Sequence, residues 1–122
     1  MSNQGGAVSR YCEREYGAQF TSRETPVAVG VTKANPVPYD DNRIALLVTN
    51  TGTTNITMTR DPNVVSGVGV LLLGNGSNMS LNAREDANAV AGQWYAISDV
   101  AGGSVFVEET IERPQRKETK EG

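Results

Sequence analysis

The residues that could do chemistry in this chain are mostly carboxylates. Asp and Glu together number 14, and histidine is absent. Three acidic pairs occur, Asp40-Asp41, Glu85-Asp86 and Glu108-Glu109. Two carboxylates facing each other across a cleft hydrolyse glycosides, one acting as acid and the other as base or nucleophile. Glu108 and Glu109 lie in a strand-like stretch, where neighbours point to opposite faces, so they form no such pair by themselves. The other two pairs fall among turn residues, where solvated acids are ordinary. Either loop offers oxygen ligands to calcium, but neither has the spacing of a helix-loop-helix calcium site.

The missing histidine removes the commonest general base and the commonest metal ligand. The single cysteine, Cys12, excludes an internal disulfide and a zinc-binding cysteine cluster. With no histidine to activate it, Cys12 reads as a small hydrophobe. Gly67-Val-Gly69 and Gly74-Asn-Gly76 are not followed by a helix start with Lys or Ser/Thr in phosphate-binding register. Turn chemistry accounts for Gly74 and Gly76, whereas Gly67 and Gly69 mark a bulge or a close backbone approach. Trp94 and Tyr95 offer a platform for stacking a sugar, although a lone Trp in a strand is more often core. The expectation is a protein without catalytic residues, metal site or cofactor.

The elements that would position these residues have a period of two, not 3.6. Val27, Val29 and Val31 alternate with smaller residues before Pro36 and Pro38 interrupt the run. Arg43 to Thr49 is the strongest strand, with Ile44, Leu46 and Val48 on one face and Ala45 and Leu47 on the other. Asn50 to Asn55 reads as a hairpin loop returning into Ile56–Thr59. Further strands are expected at Val68–Leu73, Asn78–Asn82, Gln93–Ile97 and Ser104–Ile111. Between them, Arg84–Gly92 reads as a loop or one short helical turn. The best helical stretch is Tyr11–Phe20, which sets Cys12, Tyr16 and Phe20 at i, i+4, i+8. The fold expected is all-β: a β-sandwich or jelly-roll-like barrel of about seven or eight short antiparallel strands.

Composition divides the chain into an N-terminal arm (1–24), a β-sandwich domain (25–111) and a charged C-terminal tail (112–122). The net charge of −3 and pI near 4.9 leave no basic face for nucleic acid. No apolar run is long enough to span a bilayer, and the first residues lack the pattern of a secretory signal. Strands apolar on both faces need covering beyond one sheet-to-sheet contact, which marks Leu47, Leu71 and Leu73 as docking residues. Tyr11, Tyr16 and Phe20 are the aromatic anchors of the arm.

The segments Asp41-Asn-Arg-Ile-Ala-Leu-Leu-Val-Thr-Asn-Thr-Gly52, Gly67-Val-Gly-Val-Leu-Leu-Leu-Gly-Asn-Gly-Ser-Asn-Met-Ser-Leu81, Gln93-Trp-Tyr-Ala-Ile-Ser98 and Gly103-Ser-Val-Phe-Val-Glu108 occur in that order. Over about residues 36 to 111 this order resembles small virion proteins of tailed bacteriophages. They share an N-R-x-x-L-x-x-x-N-x-G opening, a later G-x-x-L strand and turn, and a W/Y-A-I strand. The resemblance implies a sandwich on the phage head, assembled in the host cytoplasm. It would act as a decoration or cement protein whose partners are the major capsid protein or other virion subunits. Homo-oligomers, trimers above all, go with that role. The alternatives are a carbohydrate- or receptor-binding module of a fibre or spike, a neck or tail connector subunit and, last, a hydrolase.

Overall fold

Alternation of apolar and polar side chains pays off only when one face of an extended segment is buried. The computed structural model describes residues 7–113, and in it eight such segments become strands. They are β1 (Phe20–Val29), β2 (Ala34–Val37), β3 (Arg43–Asn50), β4 (Ile56–Thr59), β5 (Val70–Leu72), β6 (Asn78–Asn82), β7 (Trp94–Ser98) and β8 (Gly103–Glu112). Two four-stranded antiparallel sheets result, ordered β1-β8-β3-β6 and β2-β7-β4-β5. The pairing is nested: β1 with β8, β2 with β7, β3 with β6, and β4 with β5. One long hairpin, rolled so that successive pairs fall in opposite sheets, is a jelly roll.

The core lies between the sheets. Val29, Leu46, Val48, Val105 and Val107 face it from the first sheet. Val37, Ile56, Met58, Leu72, Trp94 and Ala96 face it from the second. Alternation holds best in β7 and β8, where buried and half-buried residues follow one another from Trp94 to Ser98 and from Gly103 to Thr110.

β3 departs from the expected alternation. Between Arg43 and Ala45 the pairing with β8 advances by two residues against one, Ile111 to Thr110, so Ile44 is the extra residue of a β-bulge. The bulge turns Arg43 into the interior, where it is 1% exposed. Ile44 does not share the core face of Leu46 and Val48 but lines a cleft on the other side.

The stretch Asn50–Asn55 is not a hairpin loop. It carries the chain from β3 in one sheet to β4 in the other. Asn50 is fully buried and ties this crossing: its Nδ2 donates to the carbonyls of Thr54 (2.7 Å) and Leu72 (2.9 Å). Its Oδ1 accepts from the Gly52 amide at 3.0 Å.

Helix α1 spans Ala7–Tyr16, earlier than the expected Tyr11–Phe20. Gly17 adopts φ 69° and returns its amide to the Glu13 carbonyl at 2.9 Å, a left-handed cap that ends the helix. Phe20 therefore opens β1, and this strand begins inside the stretch that composition assigned to the arm. A four-residue helix, α2 (Ala83–Asp86), follows β6 and runs into a 3-10 turn over Ala87–Ala89.

Candidate functional site

Three surfaces and one buried network carry the residues that sequence reasoning singled out. The first surface is the segment from Thr59 to Gly74, which shapes the β5 edge of the second sheet. Arg60–Asn63 turns the chain, with Asp61 Oδ1 accepting from the Asn63 amide at 2.9 Å. A tight reversal pairs Val65 with Val68. The loop is pinned to the sheet where the Gly67 amide donates to Oγ1 of the buried Thr57 at 2.8 Å. Gly69 then passes so close to β4 that a Cβ there would stand 2.6 Å from the Met58 carbonyl oxygen. The close approach expected at Gly67-Val-Gly69 is therefore found at Gly69.

This path buries Leu72 and leaves its neighbours outside. Val65, Val68, Val70, Leu71 and Leu73 are exposed by 58, 68, 41, 52 and 52%. From Pro62 to Ala83 no residue carries a charge. These exposed apolar side chains lie on the terminal strand of a sheet and in the loop that leads into it, Leu71 and Leu73 on one face of the strand and Val70 on the face of Leu72. Exposed apolar groups of this kind mark contact surfaces.

Leu47 lies elsewhere. It is half-buried on the outer face of the first sheet, paired with Ser80 and Glu108. A shallow hollow there is rimmed by Ser22, Glu24, Glu108 and Thr110. The structure brings Leu71 and Leu73 together and does not bring Leu47 to them.

The third surface is an open cleft of about 540 Å³ lined by Ala18, Phe20, Ile44, Ala45 and Ala83, with Arg84, Glu85 and Glu112 at its rim. Phe20 contributes half-buried area here. Tyr11 stands on α1, about half exposed. The side chain of Tyr16, and that of Cys12, lie outside the described residues.

The network closes one end of the sandwich. Alternation along β8 places Glu109 inward with Val105 and Val107, and it is 4% exposed. Its Oε2 accepts from Arg43 Nη1 at 2.6 Å and from Arg23 Nη2 at 3.0 Å, and its Oε1 accepts from Arg23 Nε at 2.8 Å. Arg43 also donates to the carbonyls of Val90 (2.7 Å), Pro38 (3.1 Å) and Gly92 (2.8 Å). Arg23 Nη2 reaches Asp40 Oδ2 at 3.0 Å as well. Two acids from separate sequence pairs, Asp40 and Glu109, thus converge on one guanidinium.

Both carboxylates are held toward the ionised form in this convergence. The Asn42 amide leads in keeping the Asp40 carboxyl below its usual range, with Arg23 and Arg43 assisting against burial. Burial pushes the Glu109 carboxyl up, but hydrogen bonds and charge from Arg23 and Arg43 outweigh it, so the net direction is down. The Arg23 guanidinium is raised, chiefly by its bond to Glu109. Asp41 accepts from the Tyr39 hydroxyl, which pushes that phenol up. Among the described residues, no three His, Cys, Asp or Glu side chains are grouped to hold a metal ion.

The sugar-stacking platform is half lost. Trp94 belongs to the core, 8% exposed, and its Nε1 donates to the Ala89 carbonyl at 3.1 Å. Tyr95 points to the opposite face, half-buried, with Lys33 Nζ 5.1 Å from its ring centre.

No protein-family model matches the chain, and no curated protein matches it. Among solved structures, it is similar to a chain of the Bacillus endospore appendages, described as a family of disulfide-linked pili. The identity is 8%, the TM-score 0.48, and the match covers 80% of this chain and 91% of that one. It is also similar to dTDP-4-dehydrorhamnose 3,5-epimerase from Elizabethkingia anophelis NUHP1. There the identity is 13% and the TM-score 0.34, over 88% of this chain and 60% of the epimerase.

Proposed function

We propose that this chain is a structural subunit of a virus particle. Its most concrete role would be a decoration or cement protein on the head of a tailed bacteriophage, bridging major capsid subunits. The observation that carries the reading is the exposure of five apolar side chains in one uncharged stretch, Val65, Val68, Val70, Leu71 and Leu73, which remain outside the core. Covering such side chains stabilises an assembly by about 25 cal/mol for each Å² of apolar area removed from water. The jelly roll itself serves capsid proteins, lectins and enzymes alike, so the surface, and not the fold, supports the assignment.

The resemblance of residues 36 to 111 to phage virion proteins gives the reading its particle. Tyr11 on α1 and Phe20 at the start of β1 offer aromatic contacts beside the sandwich. Sugar binding finds less support, because Trp94 is enclosed and already hydrogen-bonded.

The test is sedimentation of the purified full chain with empty heads of the tailed phage that carries its gene. Saturable binding in regular, high copy number is the expected result. A chain that stays in the supernatant at every concentration, while found at the tail or fibre of whole virions by mass spectrometry, would refute the head assignment.

A further inference from the structure

The two sheets have four edge strands, β1 and β6 in one and β2 and β5 in the other. An edge presents backbone N–H and C=O groups to any strand that approaches, and proteins block it with charges, prolines, bulges and polar side chains. β1 carries Arg23, Glu24 and Pro26. β2 carries Pro36 and an irregular register. β6 presents Asn78, Ser80 and Asn82 to solvent and turns Met79 and Leu81 partly inward. β5 is protected only by its shortness: it is Val-Leu-Leu, with its first two residues exposed, no proline or polar side chain, and no charge nearby in sequence.

We propose that β5 is the strand through which two copies of this chain associate, antiparallel across a two-fold axis, joining their sheets edge to edge. The inference rests on reading the chain as an assembling subunit and adds which surface assembles and with what. Three features select a second copy as the occupant. An unblocked edge is completed by a strand, which only a protein backbone supplies. The chain carries net charge −3, so two copies repel except where the surface is uncharged, and β5 lies within the uncharged stretch from Pro62 to Ala83. A charged partner finds no complementary group there. Finally, the edge is self-complementary. A two-fold perpendicular to the sheet keeps outer faces on the same side, setting Leu71 of each copy opposite the same residue of the other and Val70 opposite Leu72. With three residues in β5, the backbone bonds are few, so the exposed side chains of Val70, Leu71 and the adjoining Leu73 supply most of the contact.

An isologous contact of this kind closes after two copies, which departs from the trimer that decoration proteins favour. Light scattering and sedimentation equilibrium on the full chain, from micromolar to millimolar concentration, test the point. The mass should rise toward twice the 13.0 kDa of one chain. Amide exchange over residues 68–73 should slow as it does. Leu71→Asp should weaken association at least about tenfold, as for an interface hot spot, with an unchanged melting temperature at dilutions where the chain is monomeric. Val31→Asp, at a residue 54% exposed in the β1–β2 connection at the far edge of the sheet, should leave association unaltered. A monomer at every concentration overturns the proposal. So does association indifferent to Leu71→Asp, or a threefold mass with β5 exchange unchanged. Binding to phage heads is scored separately. A monomer that binds heads removes the β5 contact and keeps the subunit reading, whereas a dimer that ignores heads does the reverse.

Discussion

Arg43 Nη1 and Glu109 Oε2 meet at 2.6 Å inside the sandwich, with both side chains withdrawn from solvent. Neither residue is tolerable there alone. The cost of enclosing two charges is offset only because three backbone carbonyls take three of the four remaining Arg43 donors and Arg23 grips the other side of the carboxylate. The pair joins the bulge in β3 to the end of β8 and holds the loops around Pro38 and Val90.

Removing one partner should therefore cost far more than removing both. Glu109→Ala is expected to destabilise the fold by about 3–5 kcal/mol, because Arg43 is left charged and enclosed. Replacing the pair with Arg43→Met and Glu109→Leu should recover most of that loss. Arg23→Ala should cost no more than about 1 kcal/mol, since that side chain is half exposed and its attraction is screened by water. Urea unfolding of the four proteins gives the comparison.

Acid should loosen the same end of the molecule. Asp40 and Glu109 have native carboxyls held below their usual values of 3.8 and 4.5. A depressed carboxyl contributes stability that is complete above the unfolded value and lost as pH falls through the native one. The melting temperature should be flat near neutrality and fall on acidification below about pH 4. In Glu109→Gln the fall should be shallower, starting from a lower neutral value.

Adjacent leucines should behave oppositely. Leu72 is 2% exposed and Leu71 52% exposed. Leu72→Ala is expected to cost about 2–5 kcal/mol through the lost burial and the cavity left behind. Leu71→Ala should stay within about 0.5 kcal/mol for the isolated chain, as surface changes do. Chemical denaturation at low protein concentration, where self-association does not contribute, separates the two.

Gly69 should accept no side chain without a rearrangement of the 60–69 loop. Its φ of 143° and the Met58 carbonyl 2.6 Å from a would-be Cβ both oppose alanine. Gly69→Ala should lower stability by more than about 1 kcal/mol and speed amide exchange at Gly67, whose anchor on Thr57 would shift. Gly67→Ala, with φ 86° but open space around it, should be the milder of the two.

The all-β class was legible because the period-two signal is local. Trp94 and Tyr95 on opposite faces, and Val105 and Val107 on one, follow from alternation alone. The same alternation extended two residues would have placed Glu109 inward, but a carboxylate in a strand reads as solvent-facing until its partners are known. Those partners, Arg23 and Arg43, lie 86 and 66 residues away in sequence. Arg43 was hidden further by the bulge at Ile44, which shifts the face without a glycine or proline to announce it. Asn50–Asn55 has the turn chemistry of a hairpin, and only long-range pairing decides that it crosses between sheets. Gly17 could have signalled the end of α1, but the i, i+4, i+8 spacing of Cys12, Tyr16 and Phe20 carried the expected helix through it. Of the residues marked for docking, Leu71 and Leu73 share one face because they flank the buried Leu72 in an alternating strand, whereas Leu47 sits on the other sheet.

The outermost pair of the nested hairpin has a mechanical consequence. Phe20 pairs with Glu112 and Val29 with Gly103, so the chain enters and leaves the sandwich side by side at one pole. Tension applied through both flanks would peel β8 from β1 one rung at a time, whereas a load gripping the β5 side and either flank must slide several rungs at once. Tethered by its flanks to a strained surface, the sandwich would act as a clasp that opens from one pole; tethered at the opposite side as well, it would act as a rivet.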